Sequence, residues 1–167
     1  MSENYIVING KKAELTKEQV KVLGIEPEKK RNNPFEKVND DEKYYYVDHF
    51  GEIVKTSNDF IFFNKKMYDA ANYFNDEAFA KQVALHQLLY RKLLKFVYDN
   101  GYEDTAEWDS NNPHWCISYS AILGELRVDV WYGVKFPGVW FSSPESAKRA
   151  LEEVAKPFIK GHPEFKW

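Results

Sequence analysis

The run NDEAFAKQVALHQLLYRKLLKFVYDNG, residues 75–101, limits the possible folds more than any other part of this chain. Phe79, Val83, Leu85, Leu88, Leu89, Leu93, Leu94, Phe96 and Val97 recur at three- and four-residue steps, the spacing of an α-helix. Asn75 or Asp76 is placed to cap the first turn, and Asp76 and Glu77 put negative charge at the positive end of the helix dipole. Asn100-Gly101 supplies the stop. At 1.5 Å per residue the rod is about 38 Å long. At least half its circumference is apolar, so it needs cover on two sides. A small sheet on one side leaves the rest to the segments before it or to a second copy of the chain.

Those preceding segments have their own signals. Tyr5 to Asn9 and Lys11 to Leu15 read as a hairpin turning at Asn9-Gly10, and Thr16 caps a short helix that Gly24 ends. Residues 26–42 carry Pro27, Asn32, Asn33, Pro34 and many charges, and read as a linker anchored by Phe35 and Val38. KYYYVDHFGEIVKTS, residues 43–57, reads as a second hairpin turning at Phe50-Gly51, with aromatic residues on both faces. In the aromatic-rich segment 58–74, Asn64 is placed to cap a short helix bearing Met67, Ala70, Ala71 and Phe74.

Beyond the long helix an acidic loop leads to a strand, Trp115 to Tyr119. Glu125 to Tyr132 then alternates, with Leu126, Val128 and Val130 on one face and Arg127, Asp129 and Trp131 on the other. Val139 to Phe141 is the third strand of an expected antiparallel meander. Ser142-Ser143-Pro144-Glu145 opens a last amphipathic helix striped by Ala147, Ala150, Leu151, Val154 and Phe158, which Pro157 is expected to end or kink. Phe165 and Trp167 tie down the tail. The expected fold is α+β: a long central helix packed with a three-stranded meander, a C-terminal amphipathic helix and small N-terminal hairpins. Residues 1–25 form a small hairpin-and-helix unit, 26–42 the linker and 43–167 the main domain.

Composition narrows the function classes. A net charge of −3 argues against direct, electrostatically driven nucleic-acid binding. Cys116 is the single cysteine, so a disulfide within the chain and a multi-cysteine zinc site are ruled out, which favours a reducing cytoplasm. The start MSENYIVING lacks the pattern of a signal peptide, and no run is apolar enough to span a membrane. Phosphate-cradling glycine motifs are absent, and no cofactor is expected. The four histidines lie in four different segments, so no metal site is expected either.

His114 and Cys116 share one face of a strand and could form a nucleophile pair, but nothing marks an oxyanion hole, and a lone cysteine on a strand is usually a small buried hydrophobe. Two surfaces are better candidates. Trp131 and Trp140 flank a turn that adds Tyr132, Lys135 and Phe136, an aromatic grouping typical of protein-binding hot spots. The competing reading is that the N-terminal unit or the C-terminal tail covers these rings. Glu103, Asp104, Glu107 and Asp109, with Trp108 among them, form an acidic loop that suits a basic partner surface.

YYYVDHFGEIVKT, YDAANYFND, QLLYRKLLKF and VWFSSPESAKRALEEVAKPFIKGHPEFKW together resemble a family of small uncharacterised proteins encoded by phages, prophages and mobile elements of Gram-positive, often gut, bacteria. The resemblance spans roughly Asn33 to Trp167 and carries no catalytic motif. It implies a bacterial cytoplasm and a non-enzymatic accessory protein that binds a host or competitor protein, for instance as an inhibitor of anti-phage defence. The high aromatic content, 17%, leaves a second reading open, a protein that binds a small molecule or nucleotide signal in an aromatic pocket.

Overall fold

The computed structural model describes residues 5–8, 11–22, 31–40, 42–59, 61–101 and 107–167. Elements alternate in small packets along the chain, and the described strands form three separate two-stranded antiparallel sheets. The first packet is the hairpin β1 (Tyr5–Ile8) and β2 (Lys11–Glu14), followed by α1 (Lys17–Val22). Thr16 and Gln19 close a reciprocal capping box: Gln19 N–H donates to Thr16 Oγ1 at 3.2 Å, and Thr16 N–H donates to Gln19 Oε1 at 2.9 Å.

The spine is α3 (Glu77–Asp99), 23 residues and about 35 Å long. Asp76 is its N-cap, accepting from Phe79 N–H at 2.8 Å, and Asn100 closes the other end. Two different packets bury its two halves. On the N-terminal half, Ala80 and Ala84 pack with Val47 and Phe74, flanked by Tyr45, Ile53 and Val83. These belong to the hairpin β3 (Lys43–Val47) and β4 (Ile53–Ser57) and to the chain just before the helix. Phe74 extends that hairpin by one bridge, exchanging 2.7 and 2.8 Å backbone bonds with Tyr45.

The other face of the same hairpin is also covered. Tyr44 stacks on Tyr73 at 4.0 Å between ring centroids, with Val38 and Met67 against them. Phe35 packs edge-on against Phe79 and Val38 is buried, so the segment before β3 is held by the two residues expected to anchor it. Asn64 does not cap a helix. It lies inside α2 (Ile61–Asp69), buried, and accepts from the Tyr44 hydroxyl at 2.8 Å. Burial pushes that hydroxyl up to about 12, so it stays protonated and donates.

On the C-terminal half of α3, Leu89, Leu93 and Val97 join Phe141, Ala147, Ala150, Phe158 and Phe165 in one core. Its partners are the hairpin β5 (Pro113–Ser120) and β6 (Glu125–Tyr132) and a long C-terminal helical segment. That segment starts as α4 (Pro144–Ala150), with Ser143 Oγ accepting from Ser146 N–H at 3.1 Å and Pro144 in the first turn. Pro157 does not end it. Residues Leu151–Ala155 widen into a π turn, in which Lys156 N–H reaches back to the Leu151 carbonyl, and the path resumes as α5 (Lys156–Gly161). Pro157 thereby falls in the first turn of α5, where a missing N–H is tolerated.

The expected meander is not formed. β5 and β6 pair over eight residues, but residues 139–141 do not line up beside β6. They cross to the far edge of β5, where Phe141 N–H donates to the Trp115 carbonyl at 2.9 Å in a single bridge. The crossing uses up the short stretch between Gly133 and Gly138, and α4 starts immediately afterwards, so no third strand has room to grow.

The buried Tyr44–Asn64 pair tests the first packet. Asn64→Ala orphans a buried donor and is expected to cost about 1–3 kcal/mol in urea denaturation. Adding Tyr44→Phe removes the orphaned hydroxyl, so the double variant should be less destabilised than the sum of the two single changes.

Candidate functional site

β5 and β6 have two faces, and the register decides what each carries. Trp115, Ile117 and Val128 pack toward the helices. His114 stands opposite Trp131, Cys116 opposite Asp129, and Ser118 opposite Arg127, all on the other face. That second face is covered at one end by a stack of rings. Trp108 lies flat on the His114 imidazole, with centroids 3.5 Å apart and planes 5° from parallel. Trp140 meets Trp108 edge-on at 4.8 Å, Phe136 packs on Trp140 at 4.6 Å, and Trp131 meets Phe136 edge-on at 5.6 Å. The Lys135 ammonium sits 4.8 Å from the Trp108 ring centre.

The aromatic turn and the acidic loop, two separate candidates in the sequence, thus form one body. Trp108, Trp131, Lys135, Phe136 and Trp140 come together, with His114 as their floor. Trp140 is buried and anchored by its indole N–H donating to the Phe136 carbonyl at 3.2 Å. It is covered by Trp108 and Phe136, neither of which belongs to the N-terminal unit or the tail. Trp131 and Phe136 keep 41% and 37% of their surface exposed. Tyr132 is half exposed but falls on the opposite face of β6, so it does not join the stack.

Of the acidic residues, Glu103 and Asp104 lie outside the described residues. Glu107 offers its backbone carbonyl to His114 Nε2 at 3.4 Å. Asp109 is committed to the loop itself. Its Oδ1 accepts from Asn111 N–H at 2.8 Å, Asn112 N–H at 2.9 Å and the Asn112 side-chain amide at 3.0 Å. The two backbone bonds hold its carboxyl below the usual aspartate range. Gly133 ends β6 beside this turn at φ +63°, a conformation that favours glycine, with the Asp109 backbone within van der Waals contact of its Cβ position at 3.5 Å.

The geometry gives His114 and Cys116 no nucleophile role. His114 is buried under Trp108, and burial, with Asp129 opposite, pushes the Cys116 thiol up, away from the reactive thiolate. Among the described residues no three or more His, Cys, Asp or Glu side chains come together as metal ligands, and no helix is long and apolar enough to cross a membrane.

Two features escaped the sequence. Ile122 and Leu123 stand out at the tip of the β5–β6 hairpin, where only a turn had been read. A groove of about 630 Å³ lies between that hairpin and α5, with Leu126, Ile159 and Phe165 in its lining and Lys160 and Lys166 on it. Lys160 and Lys166 lie 34 and 40 residues from Leu126 along the chain, so no local pattern joins them. Comparison with known proteins gives no significant match to a family model, to a curated protein or to a solved structure.

Because the Asp109 carboxyl is depressed, the order it brings is present above the ordinary aspartate value of 3.8 and is lost as pH falls through the lowered value. Acidification should therefore release the Trp108 loop and weaken the near-ultraviolet circular dichroism of the Trp108–Trp140 pair. Asp109→Ala should show the weakened signal already at neutral pH and lose that acid step.

Proposed function

We infer that this protein is a non-enzymatic accessory protein of the phage and prophage kind that acts by stoichiometric binding to a host or competitor protein, as an inhibitor of a defence system. One observation carries the binding reading: Trp131 and Phe136 are exposed, packed edge-on against each other, and Phe136 rests on the buried Trp140. Aromatic side chains already held by packing lose little freedom on association, and such anchors dominate interface energies. The phage context rests on the sequence resemblance, and the choice of a defence system as target rests on that context.

Affinity capture from a lysate of a Gram-positive host should recover a partner in one-to-one ratio. Trp131→Ala and Phe136→Ala should each weaken that binding by about 30-fold or more, as hot-spot truncations of at least 2 kcal/mol do. Tyr98→Ala, a change on an exposed position of α3, should leave it intact. Capture that is indifferent to both aromatic truncations would remove this surface from the proposal.

The lysine-bearing groove favours a second reading, a binder of an anionic small molecule such as a nucleotide signal. Its volume lies within the ordinary range for ligand sites. A ligand held at 100 times its dissociation constant adds about 2.7 kcal/mol to stability, which a thermal-shift panel of nucleotides would detect. The shift should vanish in the Lys160→Glu/Lys166→Glu double variant. No shift with any nucleotide at high concentration would dispose of this reading.

A further inference from the structure

We propose that β6 pairs with β6 of a second copy of this chain, joining two β5–β6 hairpins into one four-stranded antiparallel sheet. One edge of β6 is bonded to β5 along its whole length, and no described strand lies on the other. The far edge of β5 is met by Phe141, so β6 is the side on which this sheet can grow. Exposed edges are normally blunted by brevity, charged side chains, proline or a bulge, and of these β6 has only charges, Glu125, Arg127 and Asp129. β6 has eight residues, ELRVDVWY, without proline or lysine, and its register against β5 is unbroken.

The charges on this edge are self-complementary. In a two-fold antiparallel pairing centred on Val128, Arg127 of each copy stands opposite Asp129 of the other. On the core side Leu126 meets Val130, and Val128 meets Val128. Moving the centre by one residue sets Arg127 against Arg127 or Asp129 against Asp129, so like charges reject the neighbouring registers. Within one chain Arg127 Nε contacts Asp129 Oδ1 at 2.8 Å, while the other Asp129 oxygen accepts from Ser118 on β5, so the pairing exchanges an ion pair within the chain for one between copies. Val130 lies on the core side of the sheet yet is 46% exposed, and no described strand lies beyond it. Leu126 of the second copy would cover it.

The consequence is a divalent surface. The two-fold axis keeps the His114–Trp131 face of both hairpins on the same side, with the two Trp131 positions six residues apart along the pairing, about 20 Å. This goes beyond partner binding by a single chain and does not depend on it.

Light scattering after gel filtration at about 100 µM should give twice the chain mass for the wild type if the dissociation constant lies near 10 µM or below. Arg127→Asp and Asp129→Arg each set like charges against each other in a self-pair, so each variant alone should run as a monomer. Mixed in equal amounts, they restore two unlike pairs across the interface and should form a dimer of both variants. A wild type that stays monomeric overturns the proposal, as do single variants that remain dimeric or a mixture that remains monomeric. Amide exchange on the unaltered protein guards against misfolded variants. The β6 amides that do not face β5 should be protected at high concentration and unprotected on dilution, and rapid exchange at every concentration also overturns it.

Discussion

A helix with apolar residues around at least half its surface cannot stand in water, and the burial of α3 organises the structure from β3 to the C-terminal helix. One core does not cover a 35 Å rod. Side-chain size along the helix divides the work. Ala80 and Ala84 leave room for Val47 and Phe74 to approach the helix backbone, so the β3–β4 hairpin docks close. Leu89, Leu93 and Val97 fill a wider space, closed by Phe141, Phe158 and Phe165 from beyond the β5–β6 hairpin. Each fully buried residue of this kind contributes about 1.5–3 kcal/mol. The β3–β4 and β5–β6 hairpins, two-stranded and marginal alone, persist because the helix gives each of these two an apolar face to rest on.

The β5–β6 hairpin inherits a second problem from this arrangement. The helices take one of its faces, and the other would be left wet with His114 and Cys116 on it. The chain solves this locally. The loop before β5 folds Trp108 back over His114, and the crossing after β6 delivers Phe136 and Trp140 to the same place. The Asp109 turn and the positive φ of Gly133 let the two loops meet. The Trp108 indole N–H, buried and without an acceptor among the described residues, is the cost of packing rings this tightly.

Periodic signals were legible and non-local ones were not. The helix 77–99, its Asp76 cap, the three hairpins and the Ser143 cap all follow from spacing and end residues. The meander was misread because alternation identifies a strand but not its neighbour: Phe141 could extend either edge, and the shortness of the crossing sent it to β5. Asn64 looked like a cap because its type favours caps, yet a buried Tyr44 hydroxyl from another element claimed it. Pro157 is expected to end or kink the helix, and the helix is interrupted there, but a sequence does not show that a π turn can shift the proline into a first-turn position so that the path resumes. At the site, alternation along β6 places Trp131 and Tyr132 on opposite faces, so only Trp131 joins the ring cluster. The union of that cluster with the loop of Trp108 leaves no local pattern, since Trp108 and Trp140 meet across 32 residues.

The same packing decides which groups on this face are accessible and which are covered. Catalysis needs a titrating group with access to substrate, and here the imidazole is roofed by an indole and the thiol is pushed up by burial. Recognition needs exposed groups held by packing, and here Trp131 leans edge-on against Phe136, which rests on the buried Trp140. A free loop bearing the same residues would give up side-chain freedom on binding, whereas these rings gave most of it up on folding. Burying His114 and Trp140 therefore does more than close a core. It converts two flexible loops into a surface with fixed aromatic contours, beside a strand edge whose own hydrogen-bonding groups point outward in a regular row.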